Sequence, residues 1–154
     1  MTSVLLDLTG QSVTDNALVH LAGFNDLRGL KLGYTPITDA GLLHLRSLTG
    51  LRTLCLIGTK ITDAGLAHLV TLSNLEELEL QGTGITDVGL NHLAALFNLR
   101  IIGLSLTKVT RFGLPKLLRL KKLEWLDVMG TGITRQTAVK LENELPLLRI
   151  RGAF

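Results

Sequence analysis

Four histidines, His20, His44, His68 and His92, stand at one interval, and Lys116 and Lys140 continue the same 24-residue step. Imidazoles in register invite two chemistries, zinc ligation and general acid–base catalysis. Zinc needs ligand nitrogens about 2.0–2.1 Å from one metal, whereas packed helices stand about 8–10 Å apart, so one histidine per helix does not converge on an ion. No cysteine or carboxylate shares the column, and no nucleophile repeats beside it. Cys55 is the single cysteine. A strand position for it puts the thiol in a different layer from the imidazoles, which argues against a Cys–His nucleophilic pair. The recurring glycines, Gly58, Gly82 and Gly130 in one column and Gly41, Gly65, Gly89 and Gly113 in another, form neither GxxxxGK[ST] nor a strand-to-helix GxGxxG. They read as tight turns and close packing. The expectation is no catalytic residue, no metal and no cofactor.

Composition agrees with a scaffold. The 154 residues are 46% hydrophobic but 4% aromatic, so the core must be built from Leu, Ile and Val. A net charge of +3 is too small a surplus to indicate nucleic-acid binding by itself. One cysteine excludes an internal disulfide framework and fits a reducing compartment. No apolar run approaches the roughly 20 residues that span a bilayer, and residues 1–20 lack a basic start followed by an apolar block. A cytoplasmic protein without a membrane partner is expected.

The elements that must position any functional residue come from self-similarity. Val13-Thr14-Asp15 recurs as Ile37-Thr38-Asp39, Ile61-Thr62-Asp63, Ile85-Thr86-Asp87, Val109-Thr110-Arg111 and Ile133-Thr134-Arg135, each 24 residues on. A fixed period of about 20–29 residues signals a stacked solenoid. Within one unit, Leu54 and Leu56 have strand spacing, while Leu66, Leu69 and Leu72 have helical spacing. Thr62 between them suits an N-cap, and Asp63 falls in the first turn, where the helix dipole favours negative charge. Each unit is therefore strand, turn, short helix. Neither half buries its apolar stripe alone, so units stack with strands about 4.8 Å apart. The columns Leu6, Leu30, Leu54, Leu78, Ile102, Leu126 and Leu8, Leu32, Leu56, Leu80, Leu104, Val128 supply the interior from the strands. Leu21, Leu45, Leu69, Leu93, Leu117 and Leu141 supply it from the helices.

Leu75-Glu76-Glu77-Leu78-Glu79-Leu80-Gln81-Gly82-Thr83-Gly84-Ile85 resembles the leucine-rich-repeat core LxxLxLxxN, with Thr83 where that family commonly has Asn or Cys. The Thr-Asp-x-Gly-Leu segment is similar to the cysteine-containing subclass of F-box adaptors and of short bacterial repeats. The resemblance implies an α/β solenoid: a right-handed horseshoe with a parallel sheet on its concave face and short helices on its convex face. It divides the chain into repeats 3–26, 27–50, 51–74, 75–98, 99–122 and 123–146, with 147–154 closing a single domain spanning 1–154. Thr35, Thr59, Thr107 and Thr131 repeat Thr83, and their hydroxyls could satisfy backbone groups at the inner turn.

Strand alternation sends the residues between the buried leucines to the open side of the sheet. There stand Thr53, Glu77, Ile101, Trp125 and Arg149 in one row, and Cys55, Glu79, Gly103, Asp127 and Arg151 in the next. Ile57, Gln81, Ser105 and Met129 follow beside them. Trp125, the only tryptophan, is placed near Ile101 and Met129 beside Glu77, Glu79 and Asp127, the make-up of a protein or peptide site. Gly29 and Gly103 should leave shallow gaps. The structural alternative is that Trp125 packs on neighbouring strands and stiffens the sheet.

The ends depart from the repeat. Ser3, Gln11 and Ala17 break the pattern of the first unit and no polar cap precedes Met1, so this coil could associate with another copy or a preceding domain. At the other end Leu141 and Leu145 suggest a longer helix ended by Pro146, then an edge strand holding Leu148 to Arg151. Pro115 should delay the fifth helix to about Leu114. Residues 1–99 carry net −4 and residues 100–154 net +7. The basic surplus reads as a solvated face rather than a nucleic-acid contact, since it is not interleaved with aromatics on the sheet. The resulting expectation is a non-catalytic module that binds a protein or peptide on the sheet face. The alternatives are an assembly module joined through the first coil, and the substrate-recognition part of a larger F-box-like adaptor.

Overall fold

A strand of three to five residues exposes too little apolar surface to persist alone, so each must lie on the next. The computed structural model describes residues 4–153 and shows that stacking directly. β1 (Val4–Asp7), β2 (Leu27–Lys31), β3 (Thr53–Cys55), β4 (Glu77–Glu79), β5 (Ile101–Gly103), β6 (Trp125–Asp127) and β7 (Arg149–Arg151) form one parallel sheet in chain order. From β2 onward the register advances by 24 residues per strand, so Leu30, Leu54, Leu78, Ile102, Leu126 and Ile150 make one ladder. Ser3 and Met1, which enter the reading of the first unit, lie outside the described residues, as does Phe154.

The opposite layer holds α1 (Asp39–Leu42), α2 (Asp63–Leu66), α3 (Leu90–Leu93) and α4 (Arg135–Glu144), with 3-10 segments at Asp15–Leu21, Leu43–Leu45, Leu69–Thr71 and Leu114–Arg119. Much of the layer is thus 3-10 rather than α-helix. Leucines three apart suit three residues per turn. Leu114 opens the fifth segment with Pro115 in its first turn. α4 stops at Glu144, since Leu145 before Pro146 is excluded from helical backbone.

The leucine columns from the second unit onward are buried in one continuous core, while Leu6, Leu8 and Val13 of the first coil are half-buried. Hydroxyls of Thr35, Thr59, Thr83, Thr107 and Thr131 each donate at 2.6 Å to the carbonyl three residues back, closing the inner turn as the Thr column implied.

The aspartates of the Thr-Asp motif do more than favour a helix dipole. Asp15, Asp39, Asp63 and Asp87 each reach into the following coil and accept twice from its threonine, Thr38, Thr62, Thr86 and Thr110. The backbone N–H donates at 2.8–2.9 Å and the hydroxyl at 2.6–2.7 Å. The same hydroxyl accepts from the N–H two residues on, at 3.2–3.4 Å, and so caps its own turn. Each clamp needs room: a Cβ on Gly41, Gly65, Gly89 or Gly113 would collide with the carboxylate arriving from the previous coil. Glycine disappears where that aspartate is missing. Thr137 follows Arg111, the first unit to lack one.

Asp63→Ala is expected to lower stability by about 2 kcal/mol, the scale of hydrogen bonds to a charged acceptor. Gly89→Ala should destabilise alone and distinctly less beside Asp63→Ala, because the carboxylate is then gone and Gly89 has helical backbone angles that favour alanine by about 1 kcal/mol, although Leu66 Cδ1 must still shift from the new Cβ. Urea unfolding of both single variants and the double variant checks this; additive effects would overturn the clamp.

Candidate functional site

Strand register sets the order of the open face. One row reads Gly29, Thr53, Glu77, Ile101, Trp125, Arg149. The next reads Lys31, Cys55, Glu79, Gly103, Asp127, Arg151. Trp125 is 42% exposed and stands on the open side, outside the leucine core. Ile101 flanks it on one side and Arg149 on the other. Asp127 lies two residues along β6, and Met129, 42% exposed, follows at the turn. Glu77 is two strands from Trp125, on β4 with Glu79. Thr53 and Cys55 lie on β3, with Ile57 just beyond it, about 14 Å from β6 at three strand spacings, so they share the face without touching the tryptophan. The rim of the apolar patch is therefore acidic on one side only and basic, through Arg149 and Arg151, on the other.

The two expected gaps are filled. The space beside Gly29 holds the Leu5 side chain, and the space above Gly103 holds the ends of Glu79 and Gln81. Long side chains on adjacent strands lean over a residue that has none, so glycine here flattens the sheet without opening a pocket. Gln81 donates to the Glu79 carboxylate. Burial pushes the Glu79 carboxyl above its usual range, with Glu77 and Asp127 adding to the shift against that hydrogen bond. Gln81 Oε1 and Ser105 Oγ are buried without hydrogen-bond partners among the described residues. Burial likewise raises the half-buried Cys55 thiol, which is no activated nucleophile. His20 is exposed, and His44, His68 and His92 are half-buried on the helical layer. Among the described residues no three metal-ligating side chains cluster.

Two residues of this surface escaped the sequence reading. At the turn after each strand, Gly10, Gly58, Gly82 and Gly130 take left-handed backbone, and Tyr34 and Leu106 take it at the same column with φ of 56° and 58°. Bulky residues are strained in that region. Yet both side chains are largely in solvent, 68% and 67% exposed. Tyr34 rests against Gly58 and Leu106 against Gly130. Leu106 N–H donates to Met129 O at 2.8 Å, which sets it beside the turn that follows β6. The signal was two large side chains in a column otherwise glycine.

A family model described as a leucine-rich repeat matches residues 71–94. Internalin C2 of Listeria monocytogenes is similar in structure, with TM-score 0.69 and 28% identity over 95% of this chain and 69% of its own. The chain carries a leucine-rich repeat and shares the fold of leucine-rich-repeat proteins. Another Listeria monocytogenes internalin matches at TM-score 0.65 and 24% identity over 93% of this chain and 45% of that one. A leucine-rich-repeat protein of Leptospira interrogans matches at TM-score 0.65 and 22% identity over 86% and 33%. The chain thus spans about two thirds of internalin C2 and less than half of the other internalin. A search of curated protein sequences finds no match. Leucine-rich-repeat proteins are typically non-enzymatic binding modules, and their fold is a general protein-interaction scaffold. No helix among the described residues is long and apolar enough to cross a membrane.

Leu106→Gly should raise stability by about 1 kcal/mol by relieving left-handed strain. Chemical denaturation measures it. A loss of stability would mean that Leu106 holds the repeat together and is not a strained surface feature.

Proposed function

We propose that the chain, read as one domain over 1–154, is a non-catalytic module that binds a protein or peptide segment on its concave sheet face. The observation that carries this reading is Trp125, exposed on the sheet between Ile101 and Arg149, with exposed Met129 further along the same side of its strand. Large amphipathic rings in such positions are what interface anchors are made of. Charge gives the partner an orientation. An apolar side chain over Trp125, a cationic group toward Glu77 and Glu79, and an anionic group toward Arg149 and Arg151 would match the face in sequence. A cation beside Glu79 would also offset the burial that disfavours its charge. Thr53, Cys55 and Ile57 extend the surface toward the first coils. The single thiol fits a cytoplasmic setting.

Peptides selected on the immobilised wild-type chain, titrated against Trp125→Ala, should lose about 2 kcal/mol or more of binding, roughly thirtyfold, with little change in melting temperature. Equal affinity for the variant would remove Trp125 from the site.

A second reading rests on the first coil. Val4 and Leu5 are exposed, and Leu6 and Leu8 are half-buried where their equivalents in inner coils are fully buried. An open coil of this kind fits assembly with a second copy. Sedimentation over a range of concentrations should then show a dimer that Leu5→Glu disperses; a monomer throughout would end this reading.

A further inference from the structure

The clamp series stops at Asp87 and Thr110, and the helical layer changes at the next interval. Arg111 stands where four units have aspartate, and Thr137 where four have glycine. Between the Leu114–Arg119 segment and α4 lies a cleft of about 510 Å³ lined by Phe112, Pro115, Leu118 and Leu141, with Arg111 and Lys140 among its polar residues. Phe112 is 71% exposed beside an apolar hollow, with the Arg111 guanidinium over one face of its ring.

The surrounding charge is one-sided. Residues 88–123 contain seven Lys and Arg and no Asp or Glu. The ion pairs of the described residues are Lys31–Asp7, Arg52–Glu76, Arg100–Glu124 and Arg135–Glu142. Lys108, Arg111, Arg119, Lys121 and Lys140 are thus left without an acidic partner there. Glu144 is the one carboxylate in the lining.

We propose that this convex cleft docks an acidic protein segment, seating one apolar side chain against Phe112, Pro115 and Leu118 with its carboxylates on Arg111 and Lys140. Charge complementarity selects an anionic partner, and the apolar hollow selects a peptide over a nucleic acid. The Arg111 guanidinium lies 4.8 Å from the Phe112 ring centroid and the Arg119 guanidinium 5.5 Å from that of Phe97. One face of each ring is therefore already covered against base stacking. This surface shares no residue with the Trp125 face, so the two readings stand or fall separately.

The probe is a short fluorescein-labelled peptide of glutamates around one central leucine, titrated by anisotropy against the full chain at low salt. Arg111→Glu and Phe112→Ser should each weaken it about tenfold or more, while Trp125→Ala leaves it within about twofold. Amide shifts should gather at 111–118 and 137–144, and replacing the central leucine by glycine should cost most of the binding. Thermal melts confirm that the variants fold. Arg111 is an exposed side chain, so Arg111→Glu decides the matter even if Phe112→Ser does not fold. No binding by the wild-type chain, equal binding of the all-glutamate peptide, or shifts spread to Lys121, Lys122, Arg149 and Arg151 would overturn the proposal. So would an oligothymidine that occupies the cleft more tightly than the peptide.

Discussion

Each coil is stable only against its neighbours, and at four successive intervals a carboxylate fixes how the neighbours meet. A three-residue strand and a single helical turn cannot offset their own ordering entropy, so the leucine columns form one core only when every coil repeats its geometry. Dispersion and apolar burial supply the attraction but are tolerant of small slips. The aspartate that accepts from both the N–H and the hydroxyl of the next threonine is not tolerant. It ties successive turns together at two points and joins each N-cap to the coil before it. The glycine two residues after the receiving aspartate position completes the device, because any side chain there would occupy the path of the incoming oxygen.

With spacing handled by the turn and filling handled by the columns, the open positions of the strands are released from structural duty. That release gives Trp125, Glu79 and Arg149 their latitude. Tyr34 and Leu106 go further, since they occupy backbone that the fold supplies to glycine in four other coils. Local strain of this sort persists where the surrounding structure over-determines it. Here the parallel bonds on either side, such as Tyr34 N–H to Ile57 O at 2.7 Å and Leu106 N–H to Met129 O at 2.8 Å, fix the turn whatever side chain it carries.

The architecture was legible because it is written six times. Strand columns, the threonine turn, the late start at Leu114 and the final edge strand all follow from periodicity and proline placement. The clamp was not legible within one unit. Asp63 looks like any first-turn acid until the fate of Gly89 is compared with that of Thr137, a comparison between coils. Gly29 and Gly103 misled for the opposite reason: alternation along one strand says nothing of how far Leu5 or Glu79 reach across to the next. The 3-10 character of the outer layer was hidden because leucines three apart satisfy either helix over so short a run. At the candidate site, the identity and order of the residues were readable, but the filled gaps and the left-handed turns were not.

The end of the clamp series also bears on the charge of the molecule. Asp15, Asp39, Asp63 and Asp87 are four of the nine acidic residues in 1–99, so part of the acidity of that half is a by-product of spacing. Arg111 and Arg135 occupy the same column in the last two units and reverse its sign. That substitution alone does not account for the basic half, because Lys108, Lys116, Arg119, Lys121 and Lys122 hold no clamp position. The surplus is additional to what stacking requires, and it gathers where stacking has one fewer constraint. The clamp column itself turns cationic only where the carboxylate is given up, and that exchange places Arg111 in the lining of the cleft at the first interval without a clamp.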